Sequence, residues 1–195
     1  MVYQSVMDGS SETKDSRLLS TGNVVFLSLT AAAMIATSMV SIPLVLPLFA
    51  VLPGVGALAT AFFFGAFLAV AYRRVRRPGV ALYCSLLMGL LFVFISPSIL
   101  AYIIASALVT DALSVLVLRN GVGRRGLVLL STVYASGNYA FGFYFGSLFN
   151  DLGFGFHHLE NQPWLVLALF IGAAVLGAAG GAVGATIAEE LEQRS

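Results

Sequence analysis

Residues 18–72 read LLSTGNVVFLSLTAAAMIATSMVSIPLVLPLFAVLPGVGALATAFFFGAFLAVAY, a stretch without a single Asp, Glu, Lys, Arg or His. Three further runs are almost as apolar: 78–118 has one charge, Asp111, and 126–150 and 161–188 have none. A helix that crosses a membrane needs roughly 20 apolar residues. The four runs therefore hold two, two, one and one helices, and the sequence predicts an all-α polytopic membrane protein with six transmembrane helices.

We expect these helices at 24–44, 46–72, 79–95, 99–118, 127–149 and 163–187. The second helix alternatively begins as late as Gly54, because Pro47, Pro53 and Gly54 interrupt the chain and leave 42–53 as an outer re-entrant or interfacial stretch. A barrel would show alternating segments of about ten residues instead of solid apolar runs. The expected organisation is a flexible cytoplasmic tail at 1–22, one transmembrane domain at 23–188 and a second cytoplasmic tail at 189–195.

The basic residues indicate the orientation. All ten fall in the tails or in alternate loops of this plan, namely Lys14, Arg17, Arg73, Arg74, Arg76, Arg77, Arg119, Arg124, Arg125 and Arg194. Short cytoplasmic loops collect positive charge. Both termini are therefore expected to be cytoplasmic.

Composition and motifs argue against several other functions. The chain is 59 % hydrophobic and 10 % charged, whereas a soluble domain has about 25 % charged residues. The basic loops lack interleaved aromatics, so no nucleic-acid partner is expected. GVGRRG at 121–126 matches a dinucleotide fingerprint, but it follows a membrane helix instead of a strand, so a simple turn is expected. With no P-loop and no nucleophile set, the chain is predicted not to be an enzyme.

No metal or other cofactor is predicted. Cys84 is the only cysteine, and we expect it to be a small buried residue. His157 and His158 are adjacent and do not share a helix face, so they are poorly placed as metal ligands.

Polar residues inside predicted helices need partners, because lipid offers none. Asp111 is either a ligand-contacting or coupling carboxylate, or a structural group paired with an inner-loop arginine or capped between helices. Asn138 and Tyr139 bind either a ligand or a neighbouring helix. Tyr144 and Trp164 belong either to a site near the outer surface or to the interfacial aromatic belt.

Small residues recur at four-residue spacing on helices two, five and six. Such stripes let helix backbones approach closely, so most should pack within the bundle, and an exposed stripe would dock a partner. The members are Ala57, Ala61, Gly65, Ala69, Gly142, Gly146, Ala173, Gly177 and Gly181, with Gly180 and Gly184 beside them.

The acidic end of helix six, at Glu189, Glu190 and Glu192, opposes the helix dipole and either frays or meets a basic partner.

A family resemblance follows from the first half of the chain. Residues 31–36 read AAAMIA, in which Ala32 and Ala36 form an A-x-x-x-A pair, and PGVGA, RRPG, MGLL and ALVTDAL occur at 53–57, 76–79, 88–91 and 107–113. With six helices, this pattern resembles the S components of energy-coupling-factor (ECF) transporters. Residues 47–118 are similar to the Trep_Strep family of predicted S components.

The resemblance implies the substrate-binding subunit of an ECF-type importer in a prokaryotic cell membrane. It implies an ECF T component that docks on Ala32 and Ala36, and two ATPase subunits that hydrolyse ATP. It also implies a small organic micronutrient or vitamin-like solute bound at the outer face, and contact with membrane lipid. The ligand-binding residues would be Tyr102, Asn138, Tyr139, Tyr144, Asn150, Asp151, His158 and Trp164, with Asp111 lying further inward.

Two rival interpretations remain open. A self-sufficient small transporter or channel would have a continuous polar pathway, with Asp111 and Asn138 lining one cavity. A non-transporting membrane scaffold would have both residues satisfied by neighbouring helices.

Overall fold

A computed structural model of the protein describes residues 20–48, 55–119, 121, 123–148 and 162–194. These residues form six α-helices and a one-turn 3₁₀ helix (Leu46–Leu48), with no strand among them, which confirms the all-α prediction for this part of the chain. The helices are α1 (Thr21–Val45), α2 (Val55–Val75), α3 (Val80–Phe92), α4 (Pro97–Arg119), α5 (Arg124–Leu148) and α6 (Pro163–Arg194).

All six helices differ from the expected bounds by a few residues or more, and α1 and α5 each begin three residues early. The helical part of the second segment begins at Val55, close to the later of the two starts considered. The third helix is only 13 residues long and ends at Phe92. The sixth continues to Arg194, through residues expected to form a tail. Lys14 and Arg17, and the rest of the predicted N-terminal tail up to residue 19, lie outside the described residues.

Four of the described helices, α1, α2, α4 and α6, are long and apolar enough to cross a membrane. The other two differ for separate reasons. A helix of the length of α3 rises about 20 Å, against a hydrocarbon core of about 30 Å. α5 has 25 residues, but Ser, Thr, Asn and Tyr side chains interrupt its apolar sequence. The number of six crossings therefore stays a prediction.

The bundle has an apolar core, but its outside is also apolar, unlike that of a soluble protein. Large apolar side chains are exposed on its outside, for example Leu29 at 65 %, Leu90 at 65 % and Phe94 at 89 % exposure. Hydroxyl side chains are fully buried, among them Ser106 and Ser131. Soluble monomers rarely expose extended apolar surface. The distribution is compatible with a multi-pass membrane protein whose outer surface faces lipid.

α2 lies at the centre of the helix arrangement and packs against α1, α3, α5 and α6. α4 lies between α3 and α5, and α6 lies against both α2 and α5.

The loop arginines meet at one end of this bundle, since Arg74 stacks on Phe26 at the start of α1 and Arg73 pairs with Glu192 at the end of α6. We call this the arginine end; its described members are Arg73, Arg74, Arg76, Arg77, Arg119, Arg124 and Arg125.

Glycines bring α6 into backbone contact with α2 and α5. A Cβ at Gly180 would overlap the Phe62 carbonyl oxygen, and one at Gly184 would overlap the carbonyl oxygen of Ala66. On the neighbouring stripe, a Cβ at Gly181 would lie 2.7 Å from the Ser131 Cβ. The glycine stripes of α6 therefore pack within the bundle, as the sequence predicted.

We expect Gly180→Ala to destabilise the bundle by about 1–3 kcal/mol, because the added methyl meets backbone that cannot rotate away. Thermal unfolding in mild detergent measures the effect. Gly172→Ala on the same helix is the matched control, since its Cβ would meet only the flexible end of Leu58, at 3.2 Å. Equal unfolding midpoints for the two variants would contradict the close α2–α6 packing.

Candidate functional site

The carboxylate of Asp111 is buried and joins three helices. It accepts hydrogen bonds from the Tyr72 hydroxyl on α2, from Ala81 N at 3.3 Å and from Leu82 N at 2.8 Å. α3 begins at Val80 after Gly79, whose φ of 95° is left-handed, and no side chain of its own caps it. Asp111 therefore caps the N-terminus of α3 from a different helix, where the helix dipole also favours a negative charge.

This geometry favours the structural interpretation of Asp111. Its carboxylate is satisfied by two backbone N–H groups and a tyrosine hydroxyl, instead of by an inner-loop arginine. A carboxylate engaged in this way has little capacity left for a ligand. The capped position between helices is thus the alternative that the contacts support.

A second polar cluster lies around Tyr134 on α5. Its hydroxyl shares a 2.8 Å hydrogen bond with Ser85 of α3, and its backbone oxygen accepts from Ser106 of α4, also at 2.8 Å. One turn earlier, Ser131 donates to the Gly65 carbonyl of α2 at 2.8 Å. The polar face of α5 therefore connects it to three neighbouring helices.

Sequence reasoning missed this cluster, although part of its signal was present. Ser131, Tyr134 and Asn138 follow one another at spacings of three and four, which places them on one face of α5. Ser85 and Ser106 had no comparable signal, because their partners lie far away in sequence.

Asn138 continues the same face toward the end of the bundle opposite the arginines. Its side chain lies against the Tyr134 hydroxyl. Its Oδ1 atom is buried and accepts no hydrogen bond from the described residues. Leaving a buried acceptor unsatisfied costs about 1–3 kcal/mol. The described residues therefore satisfy this amide only in part.

The structure does not gather the other predicted ligand residues around Asn138. Tyr139 is buried in a separate cluster with Leu169 and Ala173 of α6, because adjacent helix residues point about 100° apart. Tyr102 is half-buried against the main core.

The remaining candidates lie at the surface or outside the described part of the chain. Tyr144 and Trp164 are 60 % and 68 % exposed, positions that suit an interfacial belt. Asn150, Asp151 and His158 lie outside the described residues. Their roles at a ligand site stay predictions.

Ala32 and Ala36 are both exposed on α1. They share a face with Leu29 and Val40, which are 65 % and 63 % exposed. In contrast, the glycines at 177, 180, 181 and 184 on α6 are buried against other helices. The alanine pair on α1 is therefore a small-residue surface that the bundle itself does not use.

No protein-family model, no curated protein and no solved structure matches the chain. The likeness to ECF S components accordingly stays an expectation based on the sequence motifs.

We expect Asp111→Ala to lower stability by roughly 2–4 kcal/mol, because it uncaps α3 and leaves the Tyr72 hydroxyl without its acceptor. Tyr72→Phe removes the hydrogen bond from the hydroxyl to the carboxylate but leaves α3 capped, so it should cost less, about 1.5 kcal/mol. Thermal unfolding of the purified variants measures both effects. Asp111→Asn, which keeps one acceptor oxygen, should fall between wild type and Asp111→Ala. A wild-type midpoint for Asp111→Ala would show that the carboxylate is not a structural cap.

Proposed function

We propose that the protein is the substrate-binding subunit of an ECF-type importer, which captures a small organic micronutrient at the outer face of a prokaryotic cell membrane. The observation that carries the proposal is the exposed Ala32–Ala36 face of α1. The bundle uses its α6 glycine stripes for its own packing. A further small-residue pair left on the surface is available to a partner helix.

Docking at this face has a simple physical basis. In lipid, helices associate through close packing, since apolar surface gains nothing by leaving hydrocarbon. Two alanines one turn apart leave a shallow groove between Leu29 and Val40, both exposed. A coupling helix of a T component fits such a groove. That subunit would bind the two ATPases, which supply the energy for transport.

The proposed solute-binding position rests on Asn138 and on the distribution of charged side chains in the bundle. The described charged side chains occupy the half of the bundle at the arginine end, whereas Asn138 lies 14 residues after Arg124, about 21 Å along α5. The recorded side-chain contact of Asn138 is with the uncharged Tyr134 hydroxyl, which is itself bonded to Ser85. An uncharged solute with a hydrogen-bond donor for Oδ1 suits these surroundings.

The proposed placement in the membrane follows the charge distribution. With the arginine end in the cytoplasm, both termini are cytoplasmic and Asn138 lies in the outer half. This placement uses six crossings, with α3 shorter than the bilayer core and α5 turning its polar face into the bundle.

A membrane scaffold is the second candidate, because Asp111 is satisfied by its neighbours as that function requires. The open acceptor of Asn138 favours the binding subunit over the scaffold. A self-sufficient channel would need Asp111 and Asn138 on one pathway, and the capping contacts of Asp111 support it least.

Affinity purification of the tagged chain from its native membrane in mild detergent, followed by mass spectrometry, tests the proposal. We expect a T-type membrane subunit and two ATPases to copurify. Repeated recovery of the chain alone under gentle conditions would overturn the proposal in favour of the scaffold or the channel.

Replacement of both Ala32 and Ala36 by Leu should abolish recovery of the T component, because the leucines fill the groove. Folding should be unaffected, since both positions are exposed. Copurification followed by quantitative mass spectrometry measures the loss. Ala140→Leu, at an exposed alanine on α5, is the control and should dock normally. Normal docking by the double variant would remove α1 as the interface.

Asn138→Leu should release the bound solute while docking persists, because leucine offers no acceptor in place of Oδ1. Mass spectrometry of small molecules released from denatured, purified protein measures occupancy, and we expect a loss of tenfold or more for a buried hydrogen bond. Ser136→Ala is the matched control, since that hydroxyl bonds only within its own helix. Undiminished solute in Asn138→Leu would exclude this residue from the site.

A further inference from the structure

Three basic side chains at the arginine end make neither an ion pair nor an aromatic stack with the described residues. Arg73 and Arg76 both pair with Glu192, at 2.8 Å each, and Arg74 stacks on Phe26. Arg119, at the end of α4, and Arg124 and Arg125, at the start of α5, are exposed and lie in no ion pair among the described residues.

These three arginines lie at adjoining ends of two packed helices, α4 and α5. They flank the turn at Gly121, whose φ of 89° reverses the chain between two packed helices. A Cβ at Gly126 would lie 2.5 Å from Val117, which shows how closely the two helices meet beside the turn. No acidic residue occupies the first turn of α5. Positive charge therefore accumulates here without compensation.

Exposed apolar side chains lie directly below the arginines on the same helix faces. Leu116 precedes Arg119 by three residues and is 58 % exposed, and Leu129 follows Arg125 by four and is 46 % exposed. Residues three or four apart share a helix face. Arg119 and Arg125 thus each lie beside exposed apolar surface suited to acyl chains.

We propose that Arg119, Arg124 and Arg125 form a binding site for the phosphate headgroup of an anionic phospholipid. The guanidinium group binds phosphate oxygens in pairs, which a lysine ammonium does not do, and all described basic side chains of this chain are arginines. The exposed leucines below hold the acyl chains of the same lipid. The site depends on insertion in a membrane and not on transport, so it stands or falls separately from the proposed function.

Native mass spectrometry of the delipidated full-length protein, titrated with phosphatidylglycerol and with phosphatidylcholine, tests the site. We expect wild type to prefer phosphatidylglycerol by roughly tenfold or more, given the attraction of each basic residue to anionic lipid. The variant R119Q/R124Q/R125Q should lose the preference and still unfold at the wild-type temperature, because all three side chains are exposed. Equal binding of the two lipids by wild type, or an unchanged preference in the variant, would overturn the proposal.

Two controls separate this site from other sources of binding. R73Q/R76Q removes charge from the same end at residues already paired with Glu192, and it should retain the preference. An equal loss in that variant would mean diffuse attraction instead of a site. Inorganic phosphate is titrated separately, and stabilisation of the protein by phosphate alone, equal to that by phosphatidylglycerol, would also overturn the lipid proposal.

Discussion

A polar group inside this bundle must find its hydrogen bonds in the protein or in a bound molecule, because hydrocarbon provides none. This constraint explains the arrangement of α5, which turns Ser131 and Tyr134 inward against α2, α3 and α4. It also explains how Asp111 is held, since the carboxylate and the free N–H groups of α3 satisfy each other. Each such contact fixes the position of one helix along the bundle axis relative to the next helix. Uniform apolar packing does not do this.

A buried polar group is either satisfied by neighbouring helices or left with an open bonding position. Asp111 is an example of the first case and Asn138 of the second. Asp111 is the more conspicuous residue in the sequence, yet its contacts give it a structural role at the N-terminus of α3. Asn138 is uncharged and less conspicuous, yet its Oδ1 is buried without a donor among the described residues. Polar residues in membrane helices are expensive and commonly functional. In this bundle the amide in the less charged half is the residue on which we base the proposed binding role.

The sequence predicted the helices from apolar runs, because lipid demands long uninterrupted segments. It could not predict that α3 ends at Phe92, since Phe94 and Ile95 are just as apolar as the helix before them. It offered three roles for Asp111, and choosing among them required knowing which face of α4 meets α3. The Ser85–Tyr134 bond joins residues 49 apart, so no local pattern predicted it. The acidic end of α6 meets a basic partner, one of the two outcomes considered.

Close backbone packing holds α6 rigidly against α2 and α5. Gly180 and Gly184 lie against carbonyl groups of α2, and Gly181 lies against α5. Backbones in contact cannot slide without overlap, whereas side-chain interfaces adjust by changing rotamers. α1 is the least buried of the four apolar helices, and it packs on α2 and α3. A shift of α1 against the bundle should therefore meet less resistance than a shift of α6 against α2, where backbones are in contact.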